Sequence, residues 1–281
     1  MRRFWSLFFI FWPIVAIAAC WIAPDMGWWF PGEGGKAQSP LGERIDGLFY
    51  LILVIVAVTF VGTQAALGYA VWRGAHAEEG GKAWHTHGSH NLEVIWTIVP
   101  AGVLLFISLY QLDVWAAYRV QAKFDPAAVR QPIAEVTARQ FEWRIRYPAP
   151  DRVFQGKADV ENWLRHPEPG DLYTVNDLHV PSGRAVLIHL RTADVQHAFF
   201  VPLLRVKQDA VPGLVIPVWF EASSSQQYEL LCAELCGWGH YKMKARLWAQ
   251  SEEDYRAYLE QLKKEQFDDG VVEKAAVAES K

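Results

Sequence analysis

The chain has 281 residues, a net charge of −4 and 52% hydrophobic residues. The small negative charge excludes a nucleic-acid binder that works through a basic field. The apolar residues crowd into roughly the first 115 positions and ordinary mixed sequence follows, so a membrane anchor followed by a globular domain is expected.

Three stretches reach the about 20 residues that a bilayer crossing needs. Residues 4–24 and 48–72 carry no charge, and residues 94–112 contain Pro100, which a spanning helix tolerates where neighbours satisfy the freed carbonyl. Arg2 and Arg3 place the N-terminus on the cytoplasmic side. Trp28, Trp29 and Phe30 then fall at the outer interface, Arg73 and Lys82 on the inner side, and the large C-terminal domain outside. In a bacterium that is a multi-pass protein of the inner membrane with a periplasmic domain. The first stretch has two readings. It is a retained helix, or a secretory signal in which Ile17-Ala18-Ala19-Cys20 serves as a lipobox and Cys20 is acylated. His76, His85, His87 and His90, with Trp84, read as interfacial residues of the inner loop, a second metal site being the alternative.

From about residue 117 the texture changes. Residues 133–138, 141–147, 185–190 and 215–220 are short β-branched or aromatic runs separated by Pro, Gly, Asp and Asn. They predict a β-sandwich or small barrel. Residues 148–170 read as a long loop, and 251–265 as a surface helix with Tyr255, Tyr258, Leu259 and Leu262 on one face. The expected organisation is residues 1–44 as N-terminal membrane segment and external linker, 45–116 as a transmembrane hairpin, 117–266 as the exported domain and 267–281 as a flexible tail. No Cys-x-x-Cys-His is present, so no haem is attached covalently.

Residues 232–243 read CAELCGWGHYKM, two cysteines, a histidine and a methionine in a chain with only three cysteines and three methionines. Cys232 and Cys236 could form a disulfide in an oxidising compartment. With His240 and a further histidine they could hold structural zinc. Neither reading uses Met243, whereas thiolate, imidazole and thioether together suit electron-transfer copper. For one copper of that type there is a cysteine too many and a histidine too few, which suggests two coppers bridged by both sulfurs. His197, in DVQHAFFVP, is the candidate for the missing imidazole; taken alone it would read as an ordinary core or turn histidine.

These segments resemble subunit II of the haem–copper cytochrome c oxidases and its binuclear copper centre, CuA. DVQHAFFVPLLRVKQDAVPG is similar to the family's first-histidine segment, CAELCGWGHYKM to its ligand loop, and HNLEVIWTIVP to the start of the second helix of its membrane hairpin. The resemblance spans roughly residues 45–265. It implies a two-helix membrane hairpin, here with an extra N-terminal helix, followed by an all-β cupredoxin-like Greek-key sandwich. It implies that Cys232 and Cys236 bridge the coppers, that His197 and His240 bind one copper each, and that Met243 and the Glu234 carbonyl are axial ligands. The Glu234 carboxylate would bind Mg²⁺ at the subunit I interface, or is a plain loop carboxylate. Glu93 would stand at the entrance of a proton path, or simply favours a helix dipole. The family's His-Gln-Trp-Tyr-Trp is replaced by Arg139-Gln140-Phe141-Glu142-Trp143, so electron uptake falls to Phe141, Trp143 or Trp238. Arg205, Lys242 and Lys244 add positive charge near the loop where family members usually present carboxylates to a basic cytochrome c, so an acidic or membrane-bound donor is a further expectation. Leu214 stands where an arginine often follows Pro-Gly.

The resemblance thus implies an electron-transfer subunit of a terminal oxidase, with no catalytic residue in this chain. Its partners would be oxidase subunit I and other oxidase subunits, and cytochrome c or another cytochrome. The alternatives are the CuA subunit of a nitric oxide reductase, a membrane-tethered copper-binding or delivery protein, and a quinol oxidase subunit; the intact ligand set speaks against the last two.

Overall fold

The computed structural model describes residues 2–29, 35–75, 85 and 87–267. Phe30, His76, Lys82, Trp84 and residues 268–281 of the expected tail lie outside them. The chain divides into two compact units, Met1–Lys36 with Arg44–Ala116, and Ala37–Glu43 with Ala117–Lys281.

The first unit is helical. Helices α1 (Arg2–Ile22), α2 (Pro40–Ala75) and α3 (His90–Tyr110) supply the three expected spans, each long and apolar enough to cross a membrane. α1 and α2 meet where the side chains are small. Ser6 donates to the Gly68 carbonyl at 3.0 Å, and a Cβ on Gly68 would stand 2.7 Å from Ile10 Cγ1. In lipid, where association gains nothing from expelling water, close backbone approach and buried hydrogen bonds are what hold helices together. A short helix α4 (Leu112–Arg119) continues the chain after α3. α2 begins well before the apolar run because Ser39 caps it, accepting from the Gly42 amide at 2.9 Å.

The second unit is a sandwich of two five-stranded sheets, in order β3-β2-β1-β5-β8 and β4-β10-β9-β6-β7. The strands are β1 (Ala134–Arg139), β2 (Glu142–Tyr147), β3 (Leu172–Val175), β4 (Asp177–Pro181), β5 (Ala185–Thr192), β6 (His197–Val201), β7 (Val206–Ala210), β8 (Ile216–Glu221), β9 (Gln226–Cys232) and β10 (Lys244–Gln250). β1 runs parallel to β5, and β4 to β10, each pair being distant in sequence, while the other pairs are antiparallel. The four expected strands are β1, β2, β5 and β8. Between the sheets, Val136, Ile145, Ile188 and Leu190 share one core with Phe199, Leu230 and Leu247, as alternation along facing strands requires.

Helices decorate the sandwich. α5 (Pro126–Arg130) is capped by Asp125. Residues 148–170, expected as a loop, contain α6 (Lys157–Arg165), which buries Val160, Trp163 and Leu164. Arg146 draws α6 onto the sheet. It donates to Glu135 at 2.7 Å, to Asp171 at 2.9 Å and to the Trp163 carbonyl at 2.9 Å, and its guanidinium lies 4.2 Å from the Trp163 ring centre. α7 (Glu252–Phe267) matches the expected surface helix and buries Tyr255, Leu259 and Leu262. Phe267, placed in the expected tail, ends this helix.

Candidate metal centre

β9 ends at Cys232 and β10 begins at Lys244, so the residues between form a connection between neighbouring antiparallel strands. The Cys232 amide donates to the Met243 carbonyl at 3.2 Å and closes the base of this loop. His197, which taken alone would read as a core or turn histidine, is a buried strand residue that opens β6 opposite Ala210. β6 lies beside β9, with Phe199 across from Cys232, which brings His197 to the loop.

The donor atoms fall into two sets. Cys232 Sγ is 3.8 Å from His197 Nδ1 and 3.2 Å from the Glu234 carbonyl. Cys236 Sγ is 3.6 Å from His240 Nδ1 and 3.8 Å from Met243 Sδ. The two sulfurs are 3.9 Å apart, against ~2.05 Å for a disulfide, and both cysteines are free. Two ligand atoms at ~2.0–2.3 Å from a shared tetrahedral ion stand about 3.5 Å apart, so these spacings fit metal coordination. His197, Cys232 and Cys236 form the group that meets a metal-site geometry among the described residues. The soft sulfur and imidazole donors suit copper better than a hard cation.

The surroundings hold the set in place. His197 is fully buried. Its Nε2 meets Asp194 Oδ1 at 2.8 Å, and Asp194 also accepts from the amides of Gln140 and Val195 at 2.8 and 2.7 Å. The Gln140 side chain in turn donates to the Cys236 carbonyl. This leaves His197 Nδ1 facing the sulfurs, as an outer carboxylate fixes the tautomer of a metal-binding imidazole. Burial works against the charged imidazole of His197, but its bonds to Cys232 and Asp194 outweigh that and raise its pKa. Burial also works against the Cys232 thiolate; bonds to His197, to backbone groups of Glu234 and Ala198, and to His240 overcome it and lower the Cys232 pKa. Burial and the neighbouring Cys232 charge push Cys236 up. A cation between the sulfurs would remove that repulsion.

The aromatic residues separate by depth. Trp143 is fully buried, edge-on to the His197 ring at 6.4 Å and to Phe199 at 5.9 Å, and its Nε1 has no partner among the described residues. Phe141 is half-buried and meets Trp238 at 5.1 Å. A Cβ on Gly239 would lie 2.5 Å from Phe141 Cδ2, so only glycine admits this ring against the loop.

Glu234 is half-buried, and its carboxylate makes no hydrogen bond among the described residues. Glu93 lies in the first turn of α3. The rings of His85 and His87 are 4.8 Å apart, and these two with His90 form no metal-site group among the described residues. Sequence reasoning did not single out Asp194 or the contact role of Gln140. The signal for Asp194 was its place three residues before His197.

The chain is similar to known proteins over most of its length. Residues 133–249 match the family described as "Cytochrome C oxidase subunit II, periplasmic domain", and residues 33–114 match "Cytochrome C oxidase subunit II, transmembrane domain". The alternative cytochrome c oxidase subunit 2 of Bradyrhizobium diazoefficiens is 34% identical over 231 residues, covering 78% of this chain and 80% of its own length. Cytochrome c oxidase subunit 2 of Cereibacter sphaeroides is 32% identical over 255 residues, covering 83% of this chain and 81% of its own length. Among solved structures, the periplasmic domain of subunit II of cytochrome oxidase from Bradyrhizobium japonicum aligns with a TM-score of 0.40 at 23% identity, over 48% of this chain and 96% of that one.

Proposed function

This chain belongs to the cytochrome c oxidase subunit II family, and on that premise we propose that it takes electrons from an external cytochrome c-type carrier and delivers them to the O₂-reducing site of subunit I. The observation that carries this is the division of donor atoms into two sets about one pair of sulfurs, Cys232 with His197 and the Glu234 carbonyl, Cys236 with His240 and Met243. Cys232, Cys236, His197 and His240 would hold the two coppers with their sulfurs and ring nitrogens, and Met243 and the Glu234 carbonyl would be weaker donors to them. When bound, the copper pair supplies a one-electron site.

The chain's own residues do the rest. Asp194 fixes the His197 ring and its proton on Nε2. Cys236 and Met243, at 3% and 1% exposure, keep water from the inner side of the sulfurs. The ends of β6, β9 and β10 anchor the ligands, so little needs to move as charge changes. The exposed Trp238 resting on Phe141 offers an aromatic contact for electron uptake in place of a single surface indole, while buried Trp143 packs behind His197. The Glu234 carboxylate is available for Mg²⁺ at the subunit I interface, a hard cation that wants oxygen. Glu93 would feed a proton path from the inner side, and α1, retained as a helix, would join the hairpin of α2 and α3 in a bacterial inner membrane with the β-domain in the periplasm.

The test is metal content and electron paramagnetic resonance on the purified chain loaded with copper. Two coppers per chain with hyperfine splitting from two equivalent nuclei are expected. Cys232→Ser should abolish that pattern, and Met243→Leu should retain two coppers with an altered spectrum. One copper per chain, or zinc alone, overturns the reading.

A further inference from the structure

β1 ends at Arg139 and β2 begins at Glu142, so Gln140 and Phe141 alone turn the chain between them. Two-residue hairpin turns usually carry glycine, asparagine or aspartate. Here both turn residues have long or bulky side chains, and the glycines stand opposite them on the ligand loop. Gly237, at φ +133°, would put a Cβ 2.9 Å from Gln140 Nε2 and 3.3 Å from Phe141 Cζ, and Gly239 faces the Phe141 ring still more closely. A turn that departs from its local rule and fits its neighbour this tightly serves something outside its own hairpin.

The Gln140 side-chain amide donates to the Cys236 carbonyl. The other hydrogen bonds of residues 235–242 stay within the loop. The His240 amide donates to the Gly237 carbonyl, the Lys242 amide to the Gly239 carbonyl and the Met243 amide to the His240 carbonyl, each at 3.1 Å. Among the described residues, then, Gln140 makes the one hydrogen bond that reaches residues 235–242 from outside the loop. Its backbone amide points the other way, to Asp194 Oδ2 at 2.8 Å, and Asp194 Oδ1 meets His197 Nε2 at 2.8 Å. One residue thus touches both donor sets, that of Cys236, His240 and Met243 through the loop, and that of Cys232 and His197 through Asp194.

We propose that Gln140 is a positioning residue of the metal centre, bracing the Cys236 half of the ligand loop against the Asp194–His197 half. The proposal rests on the copper site assigned above. Gln140 offers no atom to the metal and acts through the ligands alone. Equal splitting from the two coppers needs equivalent surroundings for both, and these depend on ligand atoms whose supports are fixed. Without the brace, Cys236, His240 and Met243 can shift together with their loop. Cys232 and His197 cannot follow, because they stand on β9 and β6. A side-chain substitution cuts one arm only, since the Gln140 backbone amide stays on Asp194.

The experiment compares the unaltered full chain in detergent with Gln140→Leu and Gln140→Glu, each loaded with copper. Leucine keeps most of the bulk without a donor, and glutamate keeps the shape but sets a carboxylate against the Cys236 carbonyl. Both variants should still take up two coppers per chain. Their copper affinity, measured by competition with a chelator, should fall about tenfold, and further for glutamate than for leucine. Their electron paramagnetic resonance should show unequal splitting from the two nuclei in place of equal splitting. Gln140 is exposed, so the metal-free variants should unfold at nearly the same denaturant concentration as the unaltered chain. Unchanged affinity and unchanged splitting in both variants overturn the proposal. So does a loss of affinity matched by a loss of folding stability under an unchanged spectrum, which would make Gln140 an ordinary structural residue. The unaltered chain separates the two readings. If it lacks the two-copper signal, the proposed function fails; if all three chains give the same normal signal and affinity, the brace alone fails.

Discussion

Arg146 is 5% exposed, Glu135 5% and Asp171 2%. Charges so deep are tolerable only when paired and hydrogen-bonded, and removing one partner leaves the others stranded. Arg146→Ala should therefore destabilise the β-domain by about 3–5 kcal/mol, read as a lower midpoint in denaturant, and should release the Trp163 indole, which donates to Asp171 at 2.9 Å. His189 makes a different argument. It stands on β5 with an Nε2 that finds no partner among the described residues, and burial pulls its pKa down to about 4. Between that value and the ordinary 6.5 the unfolded chain binds a proton that the folded chain refuses. The stability linked to His189 is thus whole above pH ~6.5 and falls as pH drops towards 4, by up to about 2–3 kcal/mol. His189→Gln should flatten that part of the profile when unfolding free energies at acidic and neutral pH are compared; an unchanged slope would show the imidazole to be hydrated.

α7 and α6 differ in how openly the sequence declares them. α7 has a Ser251 cap that accepts from the Asp254 amide at 3.1 Å and apolar residues at helical spacing, so its existence and buried face are legible from local pattern alone. Leu259→Ala should cost about 2 kcal/mol or more, because the lost methyl groups leave a gap under the helix; exposed Glu260→Ala on the same helix is the control, with little change in midpoint expected. α6 is short and mostly polar, and it is held by Phe154, which meets Trp163 at 5.4 Å, and by Arg146 from another strand. Phe154 is close in sequence, but Arg146 lies on β2 outside residues 148–170, so no window over them reveals what holds the helix to the sheet. The same reasoning explains β6. It pairs with the next strand, β7, but also with distant β9, and only that second pairing brings His197 beside the ligand loop. The ligand loop was legible because Cys232, Cys236, His240 and Met243 carry their chemistry within one turn-rich stretch. Asp194 and Gln140 were harder to see, since their roles exist only once β1, β6 and the loop are brought together.

At the scale of the whole chain, every side chain assigned to the metal centre, together with Asp194, lies between β1 and β10 in the second unit. No described helix of the first unit contributes a ligand atom. Residues 117–267 alone should therefore fold and take up two coppers. They should do so at reduced stability, because Ala37–Glu43 belongs to the second unit although it precedes the hairpin in sequence. The Gln38 amide donates to the Leu203 carbonyl at 2.7 Å, and the Ser223 amide to the Gln38 carbonyl at 3.0 Å. Ser39 Oγ donates to the Leu204 carbonyl at 2.8 Å. Three such bonds contribute about 0.5–1.5 kcal/mol each, so the truncated domain should unfold at a clearly lower denaturant concentration than one in which residues 37–43 are rejoined to it by a flexible linker. The copper spectrum should be the same in both, since His197 and the ligand loop keep their strands. A truncated domain that folds but binds no copper would mean that the centre depends on the membrane unit, and the assignment of all ligands to the second unit would have to be abandoned.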